Sequence, residues 1–210
     1  MNHKNLILVG GGGHCKSVID VAESSGWMIL GILDVAENVG KKVFDYFIIG
    51  TDEQISEFIP KAYFLVTVGQ IKSAGLRIKL HEKILTAGGE LATVIASDAY
   101  LSKYSDVGKG TVVMHKAVVN ASTKIGIGCI INTMANIEHD ATIGNYCHIS
   151  TGAMVNGDCT VGDRTFIGSG VVLANGVSVA NDCIVAGASF VRKSIVQAGM
   201  YAGNPAIKYK

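Results

Sequence analysis

The chain has 210 residues, 49% of them apolar, which argues against disorder and is enough for one large domain or two modest ones with a buried core. Its formal net charge of +1, with 17% charged residues, provides neither a basic stripe for nucleic acid nor a charged face for a membrane, so the expected partner is a small molecule. No apolar run approaches the roughly 20 residues of a bilayer span and the N-terminus has no signal-like pattern, so a soluble, cytoplasmic protein is expected.

Residues 1–90 are predicted to form a Rossmann-like α/β domain. Leu6–Val9 is a short unbroken apolar run, followed by Gly10, Gly11, Gly12, Gly13 and His14, and then by Val18, Ile19 and Ala22 on one helical face. Strand, glycine loop and helix follow from that pattern. Ile29–Leu33 reads as a second strand ending at Asp34, and Tyr63–Val68 as another ending at Gly69 and Gln70. Parallel α/β sheets take ligands at the carboxyl ends of their strands, where a glycine loop and a helix N-terminus favour phosphate. Gly10–Gly13 do not follow the dinucleotide spacing, and a tight structural turn is the plain alternative. Asp34 nevertheless stands 21 positions after Gly13 at the end of the next strand, placed for a ribose hydroxyl or a base N–H, and favours a nucleotide site.

From residue 91 to 210 a period of six takes over. Every sixth residue from Ile95 to Val191 is a branched aliphatic, seventeen in all, and the residue two before each is small, from Thr93 to Ser189. A helix repeats near 3.6 and a hairpin sheet near two, so neither sustains this pattern, whereas a hexapeptide solenoid does. The predicted fold is a left-handed parallel β-helix. Three hexads close one triangular coil and coils stack about 4.8 Å apart, so seventeen hexads make between five and six coils. Cys129, Cys147, Cys159 and Cys183 all occupy the small inward position, where a thiol is a compact buried hydrophobe. No Cys-x-x-Cys pair exists, which argues against a disulfide framework or a zinc knuckle.

Among the six histidines, His3 is terminal, His81 lies in a charged helical stretch and His115 holds an ordinary outward hexad position. His139 sits in the segment Asn132-Thr-Met-Ala-Asn-Ile-Glu-His-Asp140. Residues one coil apart stack, so its neighbours are Ala121 and Gly157, both small, and Asp140 is placed to hold one ring nitrogen while the other accepts a proton. The plain alternative is a surface histidine. His148 lies nine residues on, half a coil away, so the two rings face different sides and meet only across a subunit boundary. A trimer with active sites between subunits is the expectation.

The glycine loop, Asp34, Gly69, the Asn132–Asp140 segment and the ending Tyr201-Ala-Gly-Asn-Pro-Ala206 together resemble a known family. It is the hexapeptide-repeat sugar acetyltransferases, which include PglD-type bacillosamine-pathway N-acetyltransferases, perosamine N-acetyltransferases and NeuD-type sialic acid O-acetyltransferases. The resemblance covers essentially the whole chain. It implies a front domain that binds a nucleotide sugar, a homotrimer formed through the β-helix, and acetyl-CoA as co-substrate in the groove between neighbouring helices, without a metal. It also implies that His139 is the catalytic base, Asp140 its carboxylate partner and Asn132 a residue near the sugar. His148 matches the histidine near the thioester, Gly157 supplies an amide to the carbonyl oxygen, and backbone at Ser169 and Gly187 lines the acetyl-CoA groove. Gly11, Gly12, Gly13 and His14 match the phosphate and sugar loop, with Asp34, Gly69 and Gln70 around the nucleoside. Two positions depart from the family: Val35 stands where UDP-binding members often carry a second aspartate, and Asp140 is one methylene shorter than the glutamate common in the N-acetylating members.

The implied reaction is direct transfer of acetyl from acetyl-CoA to the 4-amino group of a UDP-4-amino-4,6-dideoxy sugar, or a similar nucleotide-linked amine, for a bacterial surface glycan or glycoprotein. O-acetylation of a sialic acid or other sugar is the alternative. No covalent acyl-enzyme is expected, because the core cysteines are buried and Cys15, just after the loop, has no evident base. A γ-type carbonic anhydrase on the same solenoid requires closely spaced zinc histidines, and no His-x₄-His exists here. A non-catalytic nucleotide-binding trimeric scaffold is the reading from another class.

Overall fold

The computed structural model describes residues 4–210, so His3 lies outside the described residues. The front domain comprises β1 (Asn5–Val9), α1 (Gly13–Ser24), β2 (Met28–Leu33), β3 (Lys42–Val43), β4 (Tyr46–Gly50), the single turn α2 (Ile55–Phe58), β5 (Tyr63–Val66) and α3 (Gly75–Thr86). Its sheet runs β3-β4-β2-β1-β5, parallel except for the β3–β4 hairpin. Buried on both faces, the sheet presents Leu6, Leu8 and Ile32 to α1, and Ile7, Val9, Phe64 and Val66 to Leu80 and Ile84 of α3. That two-sided burial explains why β1 reads as a continuous apolar run rather than an alternating one. β5 ends two residues earlier than expected, where the Thr67 hydroxyl turns to the Gly10 carbonyl at the start of the glycine loop.

The rest of the chain is the left-handed parallel β-helix. Each of the seventeen hexad aliphatics closes a short strand, from Val94–Ile95 to Phe190–Val191. The strands fall into three sheets of six, five and eight, the last including two strands from the C-terminal tail. Register is fixed at one coil: Ile125 pairs with Ile143, Ile131 with Ile149, Ile137 with Val155. The interior column is one continuous apolar cluster, and Cys129, Cys147, Cys159 and Cys183 are all within it and buried. Each aliphatic side chain fully removed from water there stabilises the fold by about 1.5–3 kcal/mol.

The corners also carry a period of six. Every sixth residue from Gly110 to Ala188 has positive φ, and most of these are not glycine, among them Met134, Asp140, Tyr146 and Arg164. At one corner the coils touch: a Cβ at Gly126 would lie 2.6 Å from Asn145 Oδ1 and 2.8 Å from its backbone nitrogen. The same corner is tied by an Asx ladder in which Asn145, Asp163 and Asn181 each accept a backbone N–H from the coil below, at 3.0, 2.7 and 2.9 Å. The last coil is closed by Gly199–Ala202, parallel to Cys183–Val185, and by Ile207–Lys208 returning antiparallel. That return covers an edge otherwise open to another strand.

Helix α1 is packed between the front sheet and the β-helix. Its buried residues Cys15, Val18, Ile19 and Ala22 share one cluster with Val94, Val112 and Ile130, the outward row of the first coils. The next residues up that row are His148 and Phe166. Docking α1 on the apolar part of the row thus brings its N-terminus, and the glycine loop, to His148.

Candidate active site

The glycine loop opens α1 with Gly12 as N-cap, no side-chain cap and no acidic residue in the first turn. Its backbone N–H groups and the helix dipole therefore face the carboxyl ends of the sheet, where an anion fits. Asp34 shapes this loop. Its Oδ2 accepts from Gly11 N–H at 3.1 Å and Asn38 Nδ2 at 3.2 Å, and its Oδ1 from Val35 N–H at 2.8 Å. A Cβ at Gly11 would sit 2.7 Å from Asp34 Oδ2, so only glycine allows this approach. Beside it lies a cavity of about 140 Å³, lined by Val9, Leu33, Val35, Val68 and Leu76 together with the carboxylates of Asp34 and Asp52. Apolar walls with carboxylates among them suit a planar heterocycle that donates hydrogen bonds.

His14, at the head of α1, stands 6.5 Å from the ring of His148, with Gly69 packed against its Cβ. His148 is buried. Its Nδ1 lies 2.7 Å from the Gln70 carbonyl and its Nε2 3.1 Å from Asn132 Nδ2, while Phe166 meets the ring edge-on at 5.2 Å. Burial pushes both imidazoles down to about 4; the His148 neighbour and Arg77 add to the effect at His14, and Arg77 adds to it at His148. The Gln70 side chain is itself buried, donating to the Arg164 carbonyl at 3.1 Å.

His139 occupies a different corner and a different environment. Its side chain is 60% exposed, and Nδ1 lies 2.8 Å from Asp140 Oδ2. The Asp140 hydrogen bond holds the imidazole above its ordinary range. Nε2 lies over Gly157 and makes no hydrogen bond among the described residues. The stacking inferred from the repeat is present: Asp140 N–H bonds the Ala121 carbonyl, Asp158 N–H bonds the His139 carbonyl, and a Cβ at Gly157 would lie 2.8 Å from His139 Cε1. Glu138, just before it, accepts from Asn120 at 2.8 Å and Asn136 at 3.1 Å, which lowers its carboxyl and pins the strand leading to the corner.

One chain does not bring all the expected residues together. His139, Asp140 and Gly157 share one corner, whereas Ser169 and Gly187 belong to the corner stacked from His115 through Thr133 and Thr151, with His148 on a strand entering it and Asn132 just past the end of the strand Ile130–Ile131. Between these corners runs a sheet whose outward row is Tyr100, Val118, Asn136, Met154, Val172 and Phe190. The row is mostly apolar, and Tyr100 and Met154 are exposed. A cleft of about 840 Å³ elsewhere, between α1 and the Met114–His115 turn, contains none of His14, His139 or His148.

Two histidines and an arginine hold the junction between the domains, where the sequence pattern alone does not place them. His81 is fully buried against the ring of Tyr146 at 5.5 Å, pushed down to about 4 by burial and the nearby Arg77, not solvated on a charged helix. Arg77, also buried, joins the same junction. Arg77, Leu80, His81 and Ile84 form one helical stripe, which was the signal available for both. His115 ties the two domains, with Nδ1 2.6 Å from Asp98 and Nε2 3.1 Å from Asp20 of α1.

A nucleotide-type α/β sheet docked through α1 on a left-handed hexapeptide β-helix, with an oriented imidazole on one corner, defines a class of acyl-transfer architecture. Residues 5–84 match the PglD N-terminal domain family. The acetyltransferase domain of PglB from Neisseria gonorrhoeae FA1090, in complex with acetyl coenzyme A, superposes with a TM-score of 0.91 at 28% identity, covering 99% of this chain and 100% of that one. PerB from Caulobacter crescentus, in complex with CoA and GDP-perosamine, gives 0.91 at 29% identity, covering 98% and 97%. WeeI from Acinetobacter baumannii AYE shares the fold, with a TM-score of 0.86 at 19% identity over 98% and 100%. No curated protein matches the sequence. The front of the chain thus matches the PglD N-terminal domain family, and the whole chain shares its architecture with the PglB acetyltransferase domain and with PerB.

Proposed function

We propose that this protein is an acetyl-CoA-dependent N-acetyltransferase acting on the amine of a nucleotide-linked amino sugar. The observation that carries the reading is the end-to-end similarity to PerB, bound to CoA and GDP-perosamine. Residues 1–90 bind the nucleotide sugar and residues 91–210 carry out acyl transfer, in the cytoplasm, as a homotrimer. Trimerisation through the Tyr100–Phe190 row sets the His139 corner of one copy beside the Ser169–Gly187 corner and His148 of the next. The geometry of a single chain supports this reading, since the two halves of the site stand on adjacent corners separated by that apolar sheet.

In the assembled site, His139 donates Nδ1–H to Asp140 and uses Nε2 to take a proton from the attacking amine. The amine nitrogen bonds to the thioester carbonyl carbon, and the amide of Gly157 steadies the oxygen as it gains charge. The C–S bond then breaks, and the thiolate of CoA receives the proton from His139. Placement of a general base is worth about 10²–10⁴ in rate, and the groove supplies further acceleration by holding the reactants together.

The test is acetyl-CoA-dependent release of CoA thiol with a panel of UDP-, GDP- and dTDP-linked amino sugars. Release with at least one of them is expected. No release with any acceptor overturns the reading and favours a nucleotide-binding scaffold.

A further inference from the structure

The transfer reading places His148 at the site but does not explain why an arginine is buried behind it. We propose that Arg77 is a positioning residue for that site: by holding Gln70, it fixes His148 with the proton on Nδ1 and a lone pair on Nε2. The inference rests on the proposed function for its catalytic meaning only, since the geometry stands by itself.

Arg77 is 2% exposed. Burying a guanidinium costs several kcal/mol unless its charge is matched, and among the described residues no carboxylate forms an ion pair with it. A purely packing role would be filled better by leucine or methionine. What Arg77 does hold is specific: Nη2 donates to Gln70 Oε1 at 2.5 Å and to the Tyr146 carbonyl at 2.8 Å. The opposite end of the Gln70 amide donates to the Arg164 carbonyl. Gln70 is thereby clamped between α3 and two corner residues of the β-helix.

That clamp determines the His148 tautomer. The Gln70 carbonyl can only accept, so the proton of His148 lies on Nδ1. Asn132 gives the same answer independently. Its Oδ1 accepts Thr133 N–H at 2.8 Å, which turns Nδ2 toward His148 Nε2 as a donor, and Nε2 must carry the lone pair. The groups facing the ring from other elements are His14 on α1, Arg77 on α3 and the neutral Phe166. None is a carboxylate, and the nearby positive charge of Arg77 disfavours the imidazolium. His148 is consequently held neutral, with Nδ1–H given to the Gln70 carbonyl and the Nε2 lone pair engaged by Asn132 Nδ2–H, and it is unsuited to donating from Nε2 toward a carbonyl.

The experiment is ¹⁵N NMR of the imidazoles in the full-length protein, with His148 assigned from a His148→Gln spectrum. Wild type is expected to show Nδ1 protonated and Nε2 unprotonated from pH 8 down to about 5. Arg77→Met is expected to mix the tautomers, raise the titration midpoint of His148 and lower kcat by roughly tenfold or more. Gln70→Leu, which keeps the backbone carbonyl but removes the Arg77 acceptor, should shift the tautomer without removing the charge. An Nε2–H tautomer in wild type overturns the proposal, as does an unchanged tautomer and titration in both variants. The wild-type spectrum needs no turnover, so it stands apart from failure of the acetyl-transfer reading.

Discussion

Gly157→Ala separates a positioned base from a bystander histidine. The glycine does not have positive φ, so alanine fits its backbone, yet the new Cβ would stand 2.8 Å from His139 Cε1 and 2.9 Å from Nε2. Ordinary contact begins near 3.5 Å, so the ring must move by about 0.7 Å or swing about χ1. His139 is exposed and swings into solvent at little cost, which keeps the change in stability within about 0.5 kcal/mol. Catalysis has no such freedom, because a misplacement near 1 Å costs about 10²-fold, or about 2.7 kcal/mol in the barrier. Steady-state kcat/KM beside a urea melt reads both quantities. Turnover within twofold of wild type, in a protein of unchanged stability, would refute the placement of the reacting amine over Nε2.

Asp140→Asn removes the hydrogen bond that raises the His139 pKa. The acid limb of kcat/KM should therefore move to lower pH as activity falls, and an unmoved limb would detach Asp140 from the base. Mixing His139→Ala and His148→Ala chains by refolding them together tests the shared site. Random trimers then rebuild about a quarter of the sites with both histidines intact, whereas a site within one chain recovers nothing. Acid stability follows from the buried histidines. His81 falls from 6.5 to about 4 in the fold, so the unfolded chain binds the proton first, and its contribution is intact above about pH 6.5 and lost as pH falls toward 4. At pH 5 that loss is about 2 kcal/mol for one such histidine; urea unfolding at pH 7.5 and 5 should show it, and His81→Leu should blunt it.

The solenoid was legible because one period governs both chemistry and geometry. Ile125, Ile143 and Val161 mark the interior, and the glycine after each marks the corner where the next coil touches. His139 was legible for the same reason, since its neighbours Ala121 and Gly157 follow from counting one coil in each direction. The β3–β4 hairpin was not, because its positive-φ residue is Phe44 rather than glycine or asparagine. Nor was the junction of Arg77, His81, Gln70 and His148, which depends on where α1 settles on the Val94–Ile130 row. No local pattern encodes a docking angle. The Glu138–Asn120 contact lay between these cases, one coil apart and so countable, but bearing no repeat of its own.

Mass spectrometry of the sugar product, with hydroxylamine treatment of the same sample, reports on the bond that is made. Incubated with acetyl-CoA, a nucleotide-linked amino sugar should gain one acetyl group as an amide that survives hydroxylamine, and His139→Ala should abolish the gain. A hydroxylamine-labile ester on a sialic acid, or no acetyl transfer to any nucleotide amino sugar, would contradict N-acetylation.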